Sequence, residues 1–391
     1  MSIELHISLI LLFALGGYLL SSRINQSAVV GVIIIGIIMG PSFLHIIEYS
    51  AAIKMLAHLG AIMLLFSIGL EFKIREVYQI RYGFIALTGL VIPWVAGYFL
   101  GYLFNYGFKE SMFIGVSLTA TSIAITAKVL EEMKKLNTPA AKAIIGAAVI
   151  DDVLALLALS IAIQSANGVV AVLDIFKMAI KSAVFLFGGI FIAPYIKNIF
   201  LKIYEKKFAR DFPDFLFIMS IMFCFLYASI AEIIGLSAIV GAFLAGAVFE
   251  GVRFKNSKEL KEGAEYIHII FGAVFFISLG ILVNLRELSI SVLPFFVALL
   301  LVAVMTKVFG CGVTARIAGY NKAESLIIGF GMSPRGEVAM IVALIGLSSG
   351  VISQDIYVAI VLMSLITTII TPLVVRNIKW QQKAESAINL S

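Results

Sequence analysis

Long apolar segments recur along the whole 391-residue sequence and limit what the chain can fold into. Apolar residues make up 61% of the sequence and charged residues only 13%. A bilayer-spanning helix needs about 20 predominantly apolar residues, because backbone polar groups in hydrocarbon must be hydrogen-bonded within the segment. The sequence therefore predicts an all-α polytopic membrane protein with thirteen transmembrane helices. Their centres are predicted near residues 13, 35, 63, 93, 120, 152, 186, 222, 243, 273, 305, 335 and 365.

Basic residues concentrate in the loops that follow the odd-numbered predicted helices. The positive-inside rule then places the N-terminus outside and the C-terminus in the cytoplasm, as an odd number of helices requires. We attribute the net charge of +6 to loops that face anionic lipid, and expect a multi-pass protein of the cell membrane. Because the tail after Pro372 is short, we expect no soluble regulatory domain in this chain. Three clusters define the basic loops: Lys128, Lys134, Lys135 and Lys142; Lys197, Lys202, Lys206, Lys207 and Arg210; and Arg253, Lys255, Lys258 and Lys261.

Two sequence segments occur twice. The run from Ser27 to Gly31 matches the run from Ser237 to Gly241 at an offset of 210 residues, and LLFSIGLEFKIREV matches FFISLGILVNLREL at an offset of 211. Both matches place predicted helices 2 and 3 on helices 9 and 10, seven helices later. Because seven is odd, the two halves would have opposite orientations in the membrane, as in many secondary transporters. We predict inverted repeats of helices 1–6 and 8–13, joined by helix 7; chance similarity between small-residue helices is the alternative.

Asp151 and Asp152 stand together near the centre of predicted helix 6. An acid at this depth costs roughly 2.5 to 3.5 kcal/mol on insertion scales, so the pair calls for protons, cations or a positive partner. Lys307, in the middle of predicted helix 11, lies at the same predicted depth. Neighbours on a helix point about 100° apart, so one aspartate can pair with Lys307 while the other faces a water-filled cavity. Helix geometry permits either assignment, and a purely structural ion pair is the alternative.

Predicted helices 5 and 12 carry polar residues at equivalent positions of the two repeats. The repeat offset moves Thr121 onto the run Met332-Ser-Pro-Arg-Gly336, where proline and glycine break the helical hydrogen-bond ladder. We predict two discontinuous helices that cross at mid-depth, with half-helix ends available to ions. For helix 5 an ordinary kinked helix remains open, because proline and glycine are absent from 119–126. Arg335 and Glu337 are interpreted as a local charge pair that stabilises the break.

Enzyme and nucleic-acid functions find no support in the sequence. The four histidines are scattered without metal-ligand spacing, and we find no phosphate-binding loop, nucleotide fingerprint or Ser/His/Asp arrangement. We therefore expect a protein that is not an enzyme, has no cofactor and binds no nucleic acid.

The order of four motifs resembles the monovalent cation:proton antiporter superfamily. The motifs are a TATS helix, an Ile-Asp-Asp helix, a lysine helix and an SPRGE helix. The resemblance is to the branch of NapA-type sodium/proton antiporters, related to the membrane domains of KefC-type potassium efflux proteins. It covers essentially the whole chain and implies a homodimer. It further implies a dimerisation domain (1–78 and 212–290), an ion-translocating core (79–168 and 291–378), a linker (169–211) and a cytoplasmic tail (379–391).

The resemblance also implies roles for the polar residues. Asp152 would bind a monovalent cation or a proton in turn, and Asp151 would pair with Lys307. KefC-type members replace the first acid with glutamine, so two acids favour electrogenic exchange of sodium, or lithium, for protons by an elevator movement. A potassium/proton antiporter of the same superfamily and a cation channel are the alternatives. The residues expected to line the crossing region are Thr119, Thr121, Ser122 and Ser333.

Overall fold

The fold is described by a computed structural model that covers residues 3–24, 26–72, 79–166, 172–204, 214–250, 257–282, 284–287 and 289–378. The predicted tail, 379–391, lies outside these ranges. Within them, fifteen α-helices account for the regular structure apart from two short 3₁₀ turns. They are α1 (Ile3–Arg23), α2 (Ala28–Met39), α3 (Ala51–Gly69), α4 (Ile80–Leu103), α5 (Phe108–Ser117), α6 (Ile123–Glu132), α7 (Pro139–Ala166), α8 (Val172–Tyr204), α9 (Asp214–Ile234), α10 (Ala238–Val248), α11 (Ser257–Ile281), α12 (Leu293–Ile317), α13 (Lys322–Gly331), α14 (Glu337–Ser348) and α15 (Gln354–Asn377).

Many of these helices are built to cross a bilayer. In the part of the chain that the structure describes, nine are long and apolar enough to span it: α1, α3, α4, α7, α8, α9, α11, α12 and α15. Helix α1 exposes large apolar side chains on its outer face, including Leu12, Leu15 and Leu19. An exposed apolar stripe of this extent is stable in lipid and costly in water. The molecule is an all-α polytopic membrane protein.

The helices pack in two groups. Helix α3 packs against α10 and α11, α2 packs against α1 and α11, and α9 packs against α10. These helices are called the α3 group: α1, α2, α3, α9, α10 and α11. Helix α4 packs against α5, α7 and α12, while α13 packs on α12 and α14 on α15. These are called the α7 group: α4, α5, α6, α7, α12, α13, α14 and α15. Helices α6 and α8 contact helices of both groups, and α6 is counted with the α7 group because it continues predicted helix 5.

Close helix contacts follow the repeat offset. A Cβ atom on Gly36 of α2 would lie 2.2 Å from the carbonyl oxygen of Ile277 in α11. A Cβ atom on Gly246 of α10 would lie equally close, at 2.2 Å, to the carbonyl oxygen of Phe66 in α3. Gly36 and Gly246 differ by the first offset, and Phe66 and Ile277 by the second. The α2–α11 contact is thus repeated as the α10–α3 contact, and only glycine allows both.

Predicted helices 5 and 12 are both interrupted. The first is divided into α5, which ends at Ser117, and α6, which begins at Ile123; the second is divided into α13, which ends at Gly331, and α14, which begins at Glu337. The break in predicted helix 12 has the expected cause, because Pro334 lies inside it. The break in predicted helix 5 has no such local cause, and the tertiary contacts described below hold it open.

The two ends of the bundle differ in charge. Helix α6 ends and α7 begins beside Lys134, Lys135 and Lys142, and this end is called the basic end. Helix α1 runs toward the same end and finishes at Arg23, so α2 also begins there. Helix α3 begins at the opposite end, at Ala51. These directions decide which end of the molecule each cavity faces.

Candidate functional site

The two adjacent acids of α7 point to different partners. The Oδ2 atom of Asp151 lies 3.2 Å from Nζ of Lys307, and both side chains are fully buried. The same ammonium donates a hydrogen bond of 2.8 Å to Oγ1 of Thr121. Lys307 is therefore paired with the first acid, an assignment that helix geometry alone left open. In the part of the chain that the structure describes, Asp152 has no lysine partner.

Asp152 faces the α3 group. Its Oδ2 atom accepts a hydrogen bond of 3.1 Å from the backbone N–H of Ser237, the residue that caps the N-terminus of α10. A carboxylate is stabilised at a helix N-terminus, where N–H groups point outward and the helix dipole is positive. Asp152 is buried but retains a little more exposure than Asp151, 8% against 0%. Of the two acids, Asp152 is the one that lines a cavity.

Two cavities meet Asp152. The larger, of about 640 Å³, extends from Asp152 to the partly exposed side chains of Lys54, His58 and Glu232 at the end opposite to the basic end. The smaller has about 30 Å³, which is enough for a single water molecule or bare ion. It is lined by Thr121, Ser122, Ile123, Ala124, Ala148, Asp152, Ser237, Ile239, Val240, Phe275, Gly336 and Val338. Asp152 thus forms the floor of a wide cavity on one side only.

The two breaks are joined across the site. The backbone N–H of Ser122 donates to the carbonyl oxygen of Pro334 at 2.8 Å, and Oγ1 of Thr121 donates to that of Met332 at 3.2 Å. A side-chain hydrogen bond from Thr126 to the carbonyl of Gly331, 2.7 Å long, closes the α13 end. Backbone groups of each break are satisfied by the other break, and hydroxyls of α15 at Ser364, Thr367 and Thr368 bond the backbone of Arg335. The two segments therefore form one unit.

Arg335 crosses from one break to the other. Its Nη1 atom donates to the carbonyl oxygens of Thr119 and Ala120, each at 2.9 Å, and its Nη2 atom donates to that of Ala303 at 3.3 Å. These carbonyls belong to the negative end of α5 and to α12. The interpretation of Arg335 as half of a local pair with Glu337 missed these contacts; the side chain of Glu337 lies outside the described side chains. The Arg335 contacts and the hydrogen bond from Ser122 to Pro334 together hold the break in predicted helix 5 open.

The predicted lining residues divide into two sets. Thr121 and Ser122 border the smaller cavity beside Asp152. Thr119 and Ser333 are buried in the breaks, and their hydroxyls donate to carbonyls of their own helices, Val116 and Gly329, at 2.7 and 2.9 Å. Among the described residues, these two are absent from the lining of both cavities around Asp152. In the structure, Thr119 and Ser333 therefore stabilise the helix ends beside the breaks and do not line either cavity.

Four buried charged side chains form the centre of the site: Asp151, Asp152, Lys307 and Arg335. With all four ionised their charges cancel, which lowers the cost of burying them. Binding of a proton or of a monovalent cation to Asp152 would change the net charge by one. In the described part of the chain, no group of three or more His, Cys, Asp and Glu side chains is suited to a metal centre.

Sequence reasoning missed Ser237. Its backbone N–H is the only group within hydrogen-bonding distance that the described residues offer to Asp152. A signal was present, because Ser237 heads one of the two repeated Ser-Ala-x-Val-Gly runs and a serine before an apolar helix is a typical N-cap. The sequence could not show which acid would meet that cap.

Comparison with known proteins identifies the family of the chain. A protein family described as "Sodium/hydrogen exchanger, transmembrane" matches residues 9–378. The chain belongs to this family. Its place in the monovalent cation:proton antiporter superfamily, expected from the motifs, is confirmed, and the sodium/hydrogen exchanger family consists of transporters, not enzymes. The family activity is cation/proton exchange.

Individual relatives extend over nearly the whole chain. The Na(+)/H(+)-K(+) antiporter GerN of Bacillus cereus is 34% identical over 359 residues, which are 90% of each protein. A Na(+)/H(+) antiporter of Enterococcus hirae is 31% identical over 376 residues, 94% of this chain and 96% of the relative. The structure of the sodium proton antiporter MjNhaP1 of Methanocaldococcus jannaschii has the same fold, with a TM-score of 0.72 over 96% of both chains at 16% identity.

Proposed function

We propose that this exchanger moves sodium ions and protons in opposite directions across the cell membrane, with Asp152 carrying each in turn. The observation that carries the proposal is that the adjacent acids Asp151 and Asp152 have different surroundings. Asp151 is held by Lys307, whereas Asp152 lies at the floor of the large cavity with one backbone donor. A buried carboxylate that an ion can reach is the group that both sodium and protons can neutralise.

Competition at one carboxylate is sufficient for exchange. A protonated Asp152 cannot hold a cation, and a cation bound at Asp152 disfavours protonation of the same oxygen atoms. Thr121 and Ser122, beside Asp152 in the smaller cavity, supply further oxygen atoms of the kind that hard cations prefer. If only the loaded forms cross the membrane barrier, movement of one ion requires return movement of the other.

The packing supports an elevator movement. In this proposal the α3 group, in residues 1–78 and 212–290, forms the scaffold and the dimer contact, and the α7 group, in 79–168 and 291–378, moves. The site residues belong almost wholly to the α7 group, while the large cavity lies between the groups. Thirteen passes follow when the halves of each broken helix are counted together. The repeated glycine contacts support inverted repeats, and the basic end would face the cytoplasm.

The second acid supports electrogenic exchange. Asp151 and Lys307 form a buried pair that a change at Asp152 would disturb, because the two acids are adjacent on α7. Release of Lys307 when a cation binds would allow a second proton to leave. More protons than sodium ions would then move in each cycle.

Potassium is the second candidate ion, because the name of the relative GerN includes potassium as well as sodium. Proteoliposomes that hold a proton-sensitive dye separate the candidates. We expect a sodium gradient to drive proton movement, lithium to substitute for sodium, and the Asp152→Asn variant to lose both responses. Asp355→Asn, which changes an acid at the start of α15 away from the site, is the matched control.

Three results would contradict the proposal. Full sodium/proton exchange by the Asp152→Asn variant would show that Asp152 is not the ion-binding residue. A response to potassium alone would make the protein a potassium/proton antiporter. Voltage-clamp currents far above carrier turnover would indicate a channel.

A further inference from the structure

A second carboxylate of the α7 group caps a helix of the α3 group. Glu132, the last residue of α6, accepts hydrogen bonds through Oε2 from the hydroxyl of Ser27 at 2.6 Å and from the backbone N–H of Ala28 at 3.2 Å. Ser27 is the N-cap of α2, at the basic end. Glu132 is partly buried there, so the contact is less exposed to water than a surface pair.

This contact and the contact of Asp152 are related by the internal repeat. Ser27 and Ser237 occupy equivalent positions, and each hydroxyl accepts a hydrogen bond from the backbone N–H two residues later. One N-terminus receives Glu132 and the other receives Asp152. Two carboxylates of the α7 group therefore lie on the two equivalent helix N-termini of the α3 group.

The Glu132 contact and the Asp152 contact are both formed in the structure, with the α7 group in one position relative to the α3 group. In this position Asp152 faces the 640 Å³ cavity that extends to the end opposite to the basic end, while the 30 Å³ cavity lies on the Ala148 side of Asp152. Glu132 joins α6 to α2 at the basic end, opposite to the end that the large cavity reaches. Movement of α6 away from α2 breaks both of its hydrogen bonds.

We propose that Glu132 is a positioning residue for exchange, which holds the basic end closed while Asp152 is open to the opposite side. The proposal rests on the proposed function of Asp152. A proton or cation on Asp152 removes the negative charge that the Ser237 N–H stabilises, so loading weakens that contact. Binding of a proton or cation to Asp152 leaves the Glu132 contact intact. The strength of the Glu132 contact therefore sets the equilibrium between the closed and the open basic end.

Glu131, the residue before Glu132, allows the effect of the Glu132 hydrogen bonds to be separated from the effect of its negative charge. Glu131 forms an ion pair with Lys128 of the same helix, at 2.6 Å. Its Oε2 atom also lies 4.0 Å from Nε2 of His268 in the α3 group. Removal of Glu131 changes the same net charge at the same end of α6 but leaves the cap of α2 intact. Glu131→Gln is therefore the matched control for Glu132→Gln.

The test measures which side of Asp152 is accessible. Leu156 and Ala148 lie one helical turn to either side of Asp152 on α7; Leu156 lines the large cavity and Ala148 the small one. Purified full-length protein carrying Leu156→Cys or Ala148→Cys is treated with a water-soluble maleimide, and the two labelling rates are compared. The native cysteines, Cys224 and Cys311, are both buried, and the unsubstituted protein gives the background.

We expect rapid labelling at position 156 and slow labelling at position 148 in otherwise unaltered protein. Glu132→Ala removes an acceptor of two charge-assisted hydrogen bonds, so the ratio of the two rates should shift about tenfold toward position 148. Glu132→Gln keeps an oxygen acceptor without the charge and should shift the ratio less. Ser27→Ala removes one of the two donors and should shift it in the same direction, while Glu131→Gln should leave it unchanged.

An unchanged ratio in Glu132→Ala and Ser27→Ala would overturn the proposal, and so would an equal shift in Glu131→Gln. Should Glu132→Ala fail to fold, Glu132→Gln and Ser27→Ala carry the test, because each keeps part of the cap. The labelling needs no ion flux. Its outcome is therefore independent of whether Asp152→Asn loses sodium/proton exchange, and failure of one proposal is distinguishable from failure of the other.

Discussion

The ammonium group of Lys307 lies 3.2 Å from the carboxylate of Asp151, and both side chains are completely buried. This pair removes one of two adjacent acids from contact with the cavity and leaves the other, Asp152, at its floor. Adjacent residues of a helix diverge by about 100°, so one helix can present a paired and an unpaired acid at the same depth. This divergence pairs Asp151 with Lys307 and leaves Asp152 facing the cavity.

Loss of one member of the buried pair should be costly. Lys307→Ala leaves Asp151 buried without its cation, and we expect it to lower the free energy of unfolding by about 3 to 5 kcal/mol. The double variant Asp151→Asn/Lys307→Ala should recover part of this loss. Thermal unfolding in detergent measures both, and equal destabilisation by the single and double variants would contradict the pairing.

The same lysine should affect coupling. If release of Lys307 allows the second proton to leave, Lys307→Ala should reduce the number of protons exchanged for each sodium ion. The reversal potential of proteoliposomes at set sodium and proton gradients gives this ratio. An unchanged ratio would count against a role for Lys307 in transport and leave it a structural partner of Asp151.

Sodium should stabilise the protein through Asp152. A ligand that binds only the folded state raises its stability by RT ln(1 + [L]/Kd), or about 2.7 kcal/mol at 100 times Kd. Because protons compete for the same oxygen atoms, the sodium concentration needed for a given rise in Tm should increase as pH falls. Asp152→Asn should abolish the rise, and a sodium-dependent shift that persists in this variant would place the ion elsewhere.

Arg335 should be hard to replace. Its guanidinium donates to three carbonyl oxygens of the α5 end and of α12, and a lysine ammonium cannot present the same planar fork. We expect Arg335→Lys to lower the free energy of unfolding by about 2 to 3 kcal/mol, the typical cost of leaving buried polar groups unpaired. Lys322→Arg, a change of the same size on the first turn of α13, provides the control. Equal free energies of unfolding for the two variants would show that the three carbonyl oxygens do not require a guanidinium group.

Equivalent glycines of the two repeats should respond alike to a methyl group. Gly36→Ala and Gly246→Ala each place a Cβ atom 2.2 Å from a carbonyl oxygen of the neighbouring helix, so both should destabilise by roughly 1 to 3 kcal/mol or more through overpacking. Gly83, in α4, has open space around its Cβ position, and Gly83→Ala should be neutral or slightly stabilising because alanine favours the helix. A tolerated Gly246→Ala would contradict the close contact of α10 with α3.

The sequence determined the class of fold, the approximate helix positions and the depth of the charged residues. These properties depend on local composition, because an apolar run must satisfy its own hydrogen bonds in lipid and an acid inside such a run is costly wherever the helix packs. The break at Pro334 is equally local, and the repeat is visible as aligned residues.

Only the tertiary structure decided which acid meets Lys307, what holds open the break after Ser117, and which helix N-termini receive Asp152 and Glu132. Each of these contacts joins residues far apart in the chain, and a single sequence carries no information on the rotation of one helix about its axis relative to another. The sequence placed two acids and a lysine at one depth. The contacts of α7 with Lys307 of α12 and with the N-terminus of α10 turned Asp151 toward the lysine and Asp152 toward the cavity.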